Sequence, residues 1–316
     1  MKILVTGASG FVGGAYFRRF RDRPGLILHG VGRRSLSMPG YTAVDLSRPF
    51  DIDFDPDVVV HAAARASPWG TRAEYHQQNV VATQHVIDYC RRHGLPRLVY
   101  VSSSSVFYRD GDQLGITEDS PIGPRFVNDY AATKHAGEEL TAAYAGEWSI
   151  VRPRAVFGPG DTVLFPRILE AARRGRLPLI DNGGAPAVGD LIYIDTLCDY
   201  LHLAATSPQS PRRAFNLTNN QPVPILPFLF DVFDRLGIPR PTRKVSLRTA
   251  MLAARGGEAI YRLLRLSGEP PVTRFGVGVF AWSKTFDVSR AIAAFGPPST
   301  SLAHGVERFV EWQRAQ

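Results

Sequence analysis

The chain has 316 residues, 44% of them hydrophobic and 21% charged, which supplies a large core and excludes intrinsic disorder as its organising principle. A formal net charge of +8 raises nucleic acid as a partner, but the positive charge is mostly arginine scattered in short pairs ("RRF", "RRH", "ARRGR"), with no basic helix or aromatic-interleaved patch; nucleic-acid binding is not expected. Cys90 and Cys198, the two cysteines, exclude a disulfide framework, lack metal-ligand spacing and read as core thiols.

No apolar run reaches the roughly 20 residues that cross a bilayer. The opening "MKILVTGASG" begins a strand at once and leaves no room for a signal peptide, so a cytoplasmic protein is expected.

"KILVT" is an apolar run suited to a parallel strand covered on both faces, and "ASGFVGGAYFRRFRD" has helical periodicity. Between them, Gly7, Gly10 and Gly13 form G-x-x-G-x-x-G. Such glycines give a tight turn, a close backbone approach to a pyrophosphate and close helix packing, while the helix N-terminus offers free N–H groups to phosphate. A tight strand-to-helix turn also uses glycines without any ligand. Ser9, Phe11 and Val12 share the turn and are counted with the cofactor-binding residues.

The second strand, "LILHGVG", ends at Gly32-Arg33-Arg34, where an NAD-preferring protein carries a carboxylate for the ribose hydroxyls. Two guanidinium groups there suit a 2′-phosphate, which favours NADP over NAD; solvated surface arginines are the alternative. After the third strand, Asp45 in "AVDLS" is placed either to accept from the adenine amino group or to cap a helix. "VVVHAAA", "RLVYVSSSS" and "WSIVRPRAVFG" continue the strands, and "EYHQQNVVATQHVIDYCRRHG" is the clearest helix between them. Strand and helix alternation predicts an α/β fold with a doubly wound parallel (Rossmann) sheet.

"NDYAATKHAGEE" holds Tyr130 and Lys134, one of only four lysines in the chain. In a helix capped by Asn128 or Asp129 the two share a face. A tyrosine titrates near ~10; an adjacent ammonium is expected to lower that value and fit the phenol for proton transfer. An aromatic core contact beside a solvated lysine is the alternative.

Beyond about residue 160 the rhythm changes, with proline-rich links such as "NNQPVPILPF". The predicted organisation is a dinucleotide-binding domain over 1–160 and a smaller C-terminal substrate-binding cap over 161–316, with roughly 188–206 returning to the main domain through a strand in "LIYIDTLCDYLHLAA". "LRTAMLAARGGEAIYRLLRLSGEPP" carries apolar residues and arginines at helical spacing, which suits packing within the cap, a pocket wall or a membrane surface.

"TGASGFVG", "VVVHAAA", "VYVSSSSV", "DYAATKHAGEE" and "VRPRAVFGPGD" resemble, in order and spacing, the extended short-chain dehydrogenase/reductases of the NAD(P)-dependent epimerase/dehydratase superfamily. "HAAARASPWG" and "GEPPVTRFGVGVFAWSKTFDVSRA" are most similar to its 3β-hydroxysteroid dehydrogenase-like branch, which includes 2-alkyl-3-ketoalkanoic acid reductases. The resemblance implies a catalytic set of Ser103, Tyr130 and Lys134, with Ser103 taken three residues before Val106 and Ser102 or Ser104 as the alternatives one position away. It also implies that Asn79 supports the active-site helix and that Ala62, Ala63 and Pro153 shape the nicotinamide pocket. The expected activity is hydroxyl–ketone interconversion with NADP or NAD on a small apolar substrate, a β-keto acid or sterol, with a homodimer as the assembly to test. A sugar-nucleotide epimerase or dehydratase with tightly held NAD, and a noncatalytic NADP-sensing protein, are the alternatives. Gly189-Asp190 in "NGGAPAVGDLIYIDT" departs from the family's usual entry into the following strand.

Overall fold

The computed structural model describes every residue except Pro68, Arg265 and Ser267, so the parts of "HAAARASPWG" and "LRTAMLAARGGEAIYRLLRLSGEPP" that fall on these three lie outside the described residues. Seven parallel strands form the main sheet: β1 (Lys2–Thr6), β2 (Ile27–Gly32), β3 (Tyr41–Ala43), β4 (Val58–His61), β5 (Arg97–Val101), β6 (Trp148–Pro153) and β7 (Arg213–Leu217). Their spatial order is β7-β6-β5-β4-β1-β2-β3. Consecutive strands step outward from β1 in one direction and from β4 in the other, so the order reverses between those two. A crevice opens at that reversal, at the carboxyl ends of the strands, where open α/β sheets bind their ligands.

Apolar residues on both sides of each inner strand make this a two-faced sheet: Ile3, Leu4 and Val5 are all fully buried. On one face, α1 (Phe11–Phe20) buries Tyr16 and Phe17; on the other, α2 (Ala82–Arg92) buries Val86, Ile87, Tyr89 and Cys90. Both cysteines are buried, as expected of core thiols.

The predicted helix preceding α2 differs in one respect. Residues Arg72–Tyr75 are α-helical, but His76–Val81 form a π-helical segment before α2 continues the same rod. Such insertions leave the 3.6-residue pattern readable while shifting the face that later residues present.

"LIYIDTLCDYLHLAA" also differs from the expected strand. Only Ile192–Tyr193 is extended, paired with Val156–Phe157; Ile194–Thr206 is helix. Its buried residues Ile194, Leu197, Cys198, Leu201, Ala204 and Ala205 repeat at three and four, a helical period that a run of apolar letters disguises. This helix covers the α1 side of the sheet.

Smaller elements roof the crevice. A four-stranded sheet pairs Val223–Pro224, Val188–Gly189, Lys284–Phe286 and Gln113–Ile116 in that order, and Lys244–Ser246 pairs with Leu179–Asp181. The helix Leu247–Leu263 turns Ala250, Ala254 and Glu258 inward against the helix Arg274–Ala281, leaving Leu252, Ile260 and Leu263 exposed.

Candidate active site

One continuous cleft of about 840 Å³ runs from the glycine turn, past the ends of β4, β5 and β6, to the roof. At its first end Gly7 has φ +71°, and a Cβ there would lie 2.8 Å from the Ala63 backbone; one on Gly13 would lie 2.5 Å from the Gly7 carbonyl oxygen. Both glycines are therefore demanded by packing as well as by any ligand. Gly10 is the N-cap of α1 with no side-chain cap, and the first turn carries no acid. Free N–H groups and the positive end of the helix thus face the cleft beside Ser9, Phe11 and Val12. These features fit a dinucleotide pyrophosphate.

Arg33 and Arg34 lie exposed on the rim just past β2, with the Tyr41 hydroxyl donating to the carbonyls of Gly32 at 2.9 Å and Arg34 at 2.6 Å. Asp45 sits on the same rim. Its carboxylate accepts from the Ser47 N–H at 3.0 Å and so caps a turn rather than a helix. The Ser47 hydroxyl and N–H hold it below the usual carboxylate range, with Arg33 adding to that effect. Ala62, Ala63 and Pro153 line the middle of the cleft.

The helix α3 (Asp129–Ala142) is capped by Asn128, whose Oδ1 accepts from the Ala131 N–H at 2.8 Å. Tyr130 and Lys134 both reach the cleft from it. Burial raises the Tyr130 phenol above its ordinary value, with the Ser103 hydroxyl working the other way. The expected lowering by Lys134 is not found, because burial outweighs the neighbouring groups and acts on the lysine too: Lys134 is only 1% exposed and is pushed down to about 7, with Glu138 opposing. The Lys134 Nζ lies 4.1 Å from the centre of the Tyr100 ring.

The four serines after β5 divide their work. Ser102 donates to Glu138 at 2.5 Å, Ser104 shares a 3.1 Å hydrogen bond with the Tyr108 hydroxyl, and Ser103 accepts from the Ser105 N–H at 3.2 Å while exchanging a 2.9 Å bond with its hydroxyl. Ser103 is the one whose hydroxyl bears on Tyr130.

Beneath these groups lies a polar layer that the sequence reading did not reach. Glu138, one turn beyond Lys134, receives Arg152 Nε at 2.9 Å and Nη2 at 2.7 Å. Burial alone would raise its carboxyl, but the His135 ring, with Nδ1 at 3.7 Å, the hydrogen bonds and charge of Arg152, and the Ser102 hydroxyl bring it down to about 2. The i, i+4, i+8 series Tyr130, Lys134, Glu138 was the available signal.

His61, fully buried at the end of β4, joins Thr6 at 2.7 Å through Nδ1 and Thr83 at 2.9 Å through Nε2. Thr83 gives its own proton to the Asn79 carbonyl at 2.6 Å, so Nε2 must carry the hydrogen. Burial, and then Lys134, hold His61 down at about 3, neutral at physiological pH.

Asn79 lies within the π-helical segment and is buried behind the cleft wall. Its Oδ1 accepts from the Arg65 N–H at 2.7 Å and its Nδ2 donates to Thr133 Oγ1 at 3.0 Å, which ties the loop after β4 to α3. Its reach to a cofactor is therefore through these neighbours. None of the cleft-lining residues comes from the helix Leu247–Leu263, which packs behind the wall instead of forming it. Among the described residues no group of three or more His, Cys, Asp or Glu side chains could hold a metal, and no helix is long and apolar enough to cross a membrane.

A parallel sheet reversing between β1 and β4, with a glycine turn and an uncapped helix at that reversal, defines a dinucleotide-binding α/β class. The chain belongs to the NAD dependent epimerase/dehydratase family, whose sequence profile matches residues 3–218. It is an enzyme of the extended short-chain dehydrogenase/reductase type. It is 35% identical over 331 aligned positions to a 2-alkyl-3-oxoalkanoate reductase of Stenotrophomonas maltophilia (strain K279a), covering 98% of both chains. A 3beta-hydroxysteroid-dehydrogenase/decarboxylase (isoform 2) of Arabidopsis thaliana is 32% identical, over 81% of this chain and 48% of that one. Among solved structures, MoeE5 in complex with UDP-glucose and NAD superposes with a TM-score of 0.75 at 25% identity, over 100% of this chain and 99% of that one.

Proposed function

We propose that the protein reversibly interconverts a hydroxyl and a ketone, with Tyr130 as proton donor and acceptor, Ser103 as a hydrogen-bond donor to the substrate oxygen and Lys134 as the cation behind the phenol. The observation that carries this is the convergence of Tyr130, Ser103 and Lys134 on one wall of the cleft that begins at the uncapped α1 terminus. A nicotinamide bound there supplies or accepts the hydride. Tyr130 gives its phenolic proton to the carbonyl oxygen in reduction, and Ser103 shares the developing charge on that oxygen. Tyr130 needs help to ionise because burial favours the neutral phenol, and the Ser103 hydroxyl works towards the ionised form; the positive charge of an oxidised nicotinamide beside Lys134 would add to it. Glu138, gripped by Arg152, keeps a fixed negative charge one turn away and so favours the charged form of Lys134.

Arg33 and Arg34 favour NADP over NAD, since no carboxylate ends β2 and their planar donors match a 2′-phosphate. Asp45 on the same rim is an acceptor for the adenine amino group. On the roof side, Leu164, Ile168, Ile225, Phe228, Phe275 and Phe280 supply an apolar wall that suits an alkyl chain or sterol. The division into a cofactor domain over 1–160 and a cap over 161–316, with 188–206 returning, and a cytoplasmic site of action belong to the same reading.

A second reading, a sugar-nucleotide epimerase or dehydratase, draws on the likeness to MoeE5. A panel of β-keto acids, hydroxysteroids and sugar nucleotides, followed by NADPH absorbance, tests the two. Net NADPH consumption with a keto acid or ketosteroid supports the reductase. Retained NAD with no net consumption on sugar nucleotides supports the alternative. Tyr130→Phe should leave cofactor binding near normal and reduce turnover at least about a hundredfold, the usual scale of general acid catalysis; undiminished turnover would remove Tyr130 from the role.

A further inference from the structure

We propose that Arg154 is the carboxylate-binding residue of the substrate chamber, so that the oxygen handled at Tyr130 belongs to a 3-oxo or 3-hydroxy acid rather than to a neutral sterol or sugar. The proposal rests on the hydroxyl–ketone reading above and adds to it the residue that selects between the acid and the neutral substrates.

Arg154 follows the last residue of β6 and lines the cleft, yet it is only 6% exposed. A guanidinium in that position is normally neutralised and hydrogen-bonded by its own protein. This one has no hydrogen-bonded partner: its Nε is unpaired and its nitrogens make no ion pair within 4.0 Å among the described residues. Asp190, whose carboxyl burial raises, stands close enough for the Arg154 charge to lower it, but its Oδ2 accepts from the Phe286 N–H at 2.8 Å and its Oδ1 has no partner. Arg152, two residues earlier on the same strand, is by contrast saturated by Glu138.

The position of the unused fork is also fixed. Its Cζ lies 5.3 Å from the centre of the Tyr108 ring, and Arg154, Tyr108, Ser103 and Tyr130 all line the same cleft. The free donors therefore belong to the chamber of the proposed proton donor. In a 3-oxo acid a single carbon separates the ketone carbon from the carboxylate, so one chamber receives both. Gly189 opens the space around the guanidinium: a Cβ there would come within 3.6 Å of Nη2 and 3.1 Å of Ile225. Gly189 thus stands directly beside the unpaired arginine. Planar, paired N–H donors on a guanidinium match a carboxylate bidentately.

The experiment compares a 2-alkyl-3-hydroxyalkanoic acid with its methyl ester, oxidised with NADP⁺ or NAD⁺ and followed by reduced-nicotinamide absorbance. In this direction the C3 hydride passes to the nicotinamide and the hydroxyl proton to Tyr130. The wild-type acid-to-ester ratio of kcat/KM should exceed about tenfold, as for a charged hydrogen bond, and should fall towards unity in Arg154→Gln, with Arg154→Lys in between. A ratio unchanged by Arg154→Gln would overturn the assignment, since a purely structural loss lowers both substrates together. Inhibition of the wild-type enzyme by a straight-chain alkanoic acid against its primary amide needs no variant: preference for the acid supports the proposal, and equal inhibition sinks it. If the wild type oxidises acid and ester equally, Arg154 is excluded while the hydroxyl–ketone reading stands; if it oxidises neither, that reading falls and takes the proposal with it.

Discussion

Arg152 holds Glu138 by both carboxylate oxygens, at 2.9 and 2.7 Å, in a pair whose side chains are 7% and 4% exposed. It lies one helical turn beyond Lys134, so the electrostatics of the proposed catalytic lysine depend on a contact between α3 and β6. Removing one member leaves the other charged, buried and alone.

Glu138→Gln should therefore destabilise the protein by about 3–5 kcal/mol, measured by denaturant unfolding. The same pair predicts acid sensitivity. The Glu138 carboxyl is brought down to about 2 in the folded chain from an ordinary 4.5, so the unfolded state binds the extra proton between those values. Its stabilisation is fully present above about pH 4.5 and is lost as pH falls towards 2, about 1.4 kcal/mol per pH unit at most. Glu138→Gln should show a shallower loss over that window; an unchanged slope would mean the carboxylate carries no such coupling.

Lys134 is lowered as well, which for a base disfavours the charged form. Buried at about 7, it sheds its proton in the folded state across a range where the unfolded chain keeps it. Stability should consequently rise with pH between about 7 and 9, by up to about 1.4 kcal/mol per unit. Lys134→Met should flatten that rise, which thermal unfolding of the two proteins at pH 7, 8 and 9 will register.

At the cofactor rim, Arg33→Ala should weaken NADPH by roughly tenfold, the scale of one charge-assisted hydrogen bond. NADH affinity should change far less. Equal losses in a fluorescence titration of both nucleotides would sink the phosphate assignment.

Glycine positions offer a paired test. Gly13→Ala places a Cβ 2.5 Å from the Gly7 carbonyl oxygen, so the whole turn must shift; a loss of about 1–3 kcal/mol, typical of overpacking, and a loss of dinucleotide affinity are expected. Gly256→Ala lies inside the helix Leu247–Leu263 with nothing within 4 Å of the new methyl. It should stabilise the protein by about 0.5–1 kcal/mol. If both variants behave alike, the close packing of the turn is not what fixes Gly13.

The parallel sheet was legible because doubly buried strands such as β1 and β4 write themselves as short apolar runs punctuated by glycine turns. Tyr130 and Lys134 were legible because i and i+4 on a helix need no tertiary knowledge. Arg152 and Glu138 were not, since their pairing depends on which strand lies under α3, and Arg154 looked like one more arginine in an arginine-rich chain. The helix at Ile194–Thr206 was misread because apolar residues crowd its N-terminal turn, where a strand and a buried helix give the same letters. The π-helical insertion at His76–Val81 left no mark in composition at all. The effect of burial on Tyr130 was out of reach for the same reason as Arg152: it is a property of the surroundings rather than of the motif.

The small sheet that joins Gln113–Ile116 to Lys284–Phe286, Val188–Gly189 and Val223–Pro224 draws on segments 171 positions apart between Gln113 and Lys284. A roof sewn to the floor along such a seam does not open like a door on one hinge. The helix Arg274–Ala281 supplies the outer layer of the chamber through Phe275, Val277 and Phe280, while the seam holds Asp190 to the Phe286 N–H beneath it. On the proposed reading, a change in the substrate accepted can then arise by repacking that outer layer, without disturbing Tyr130 and Ser103 on the floor.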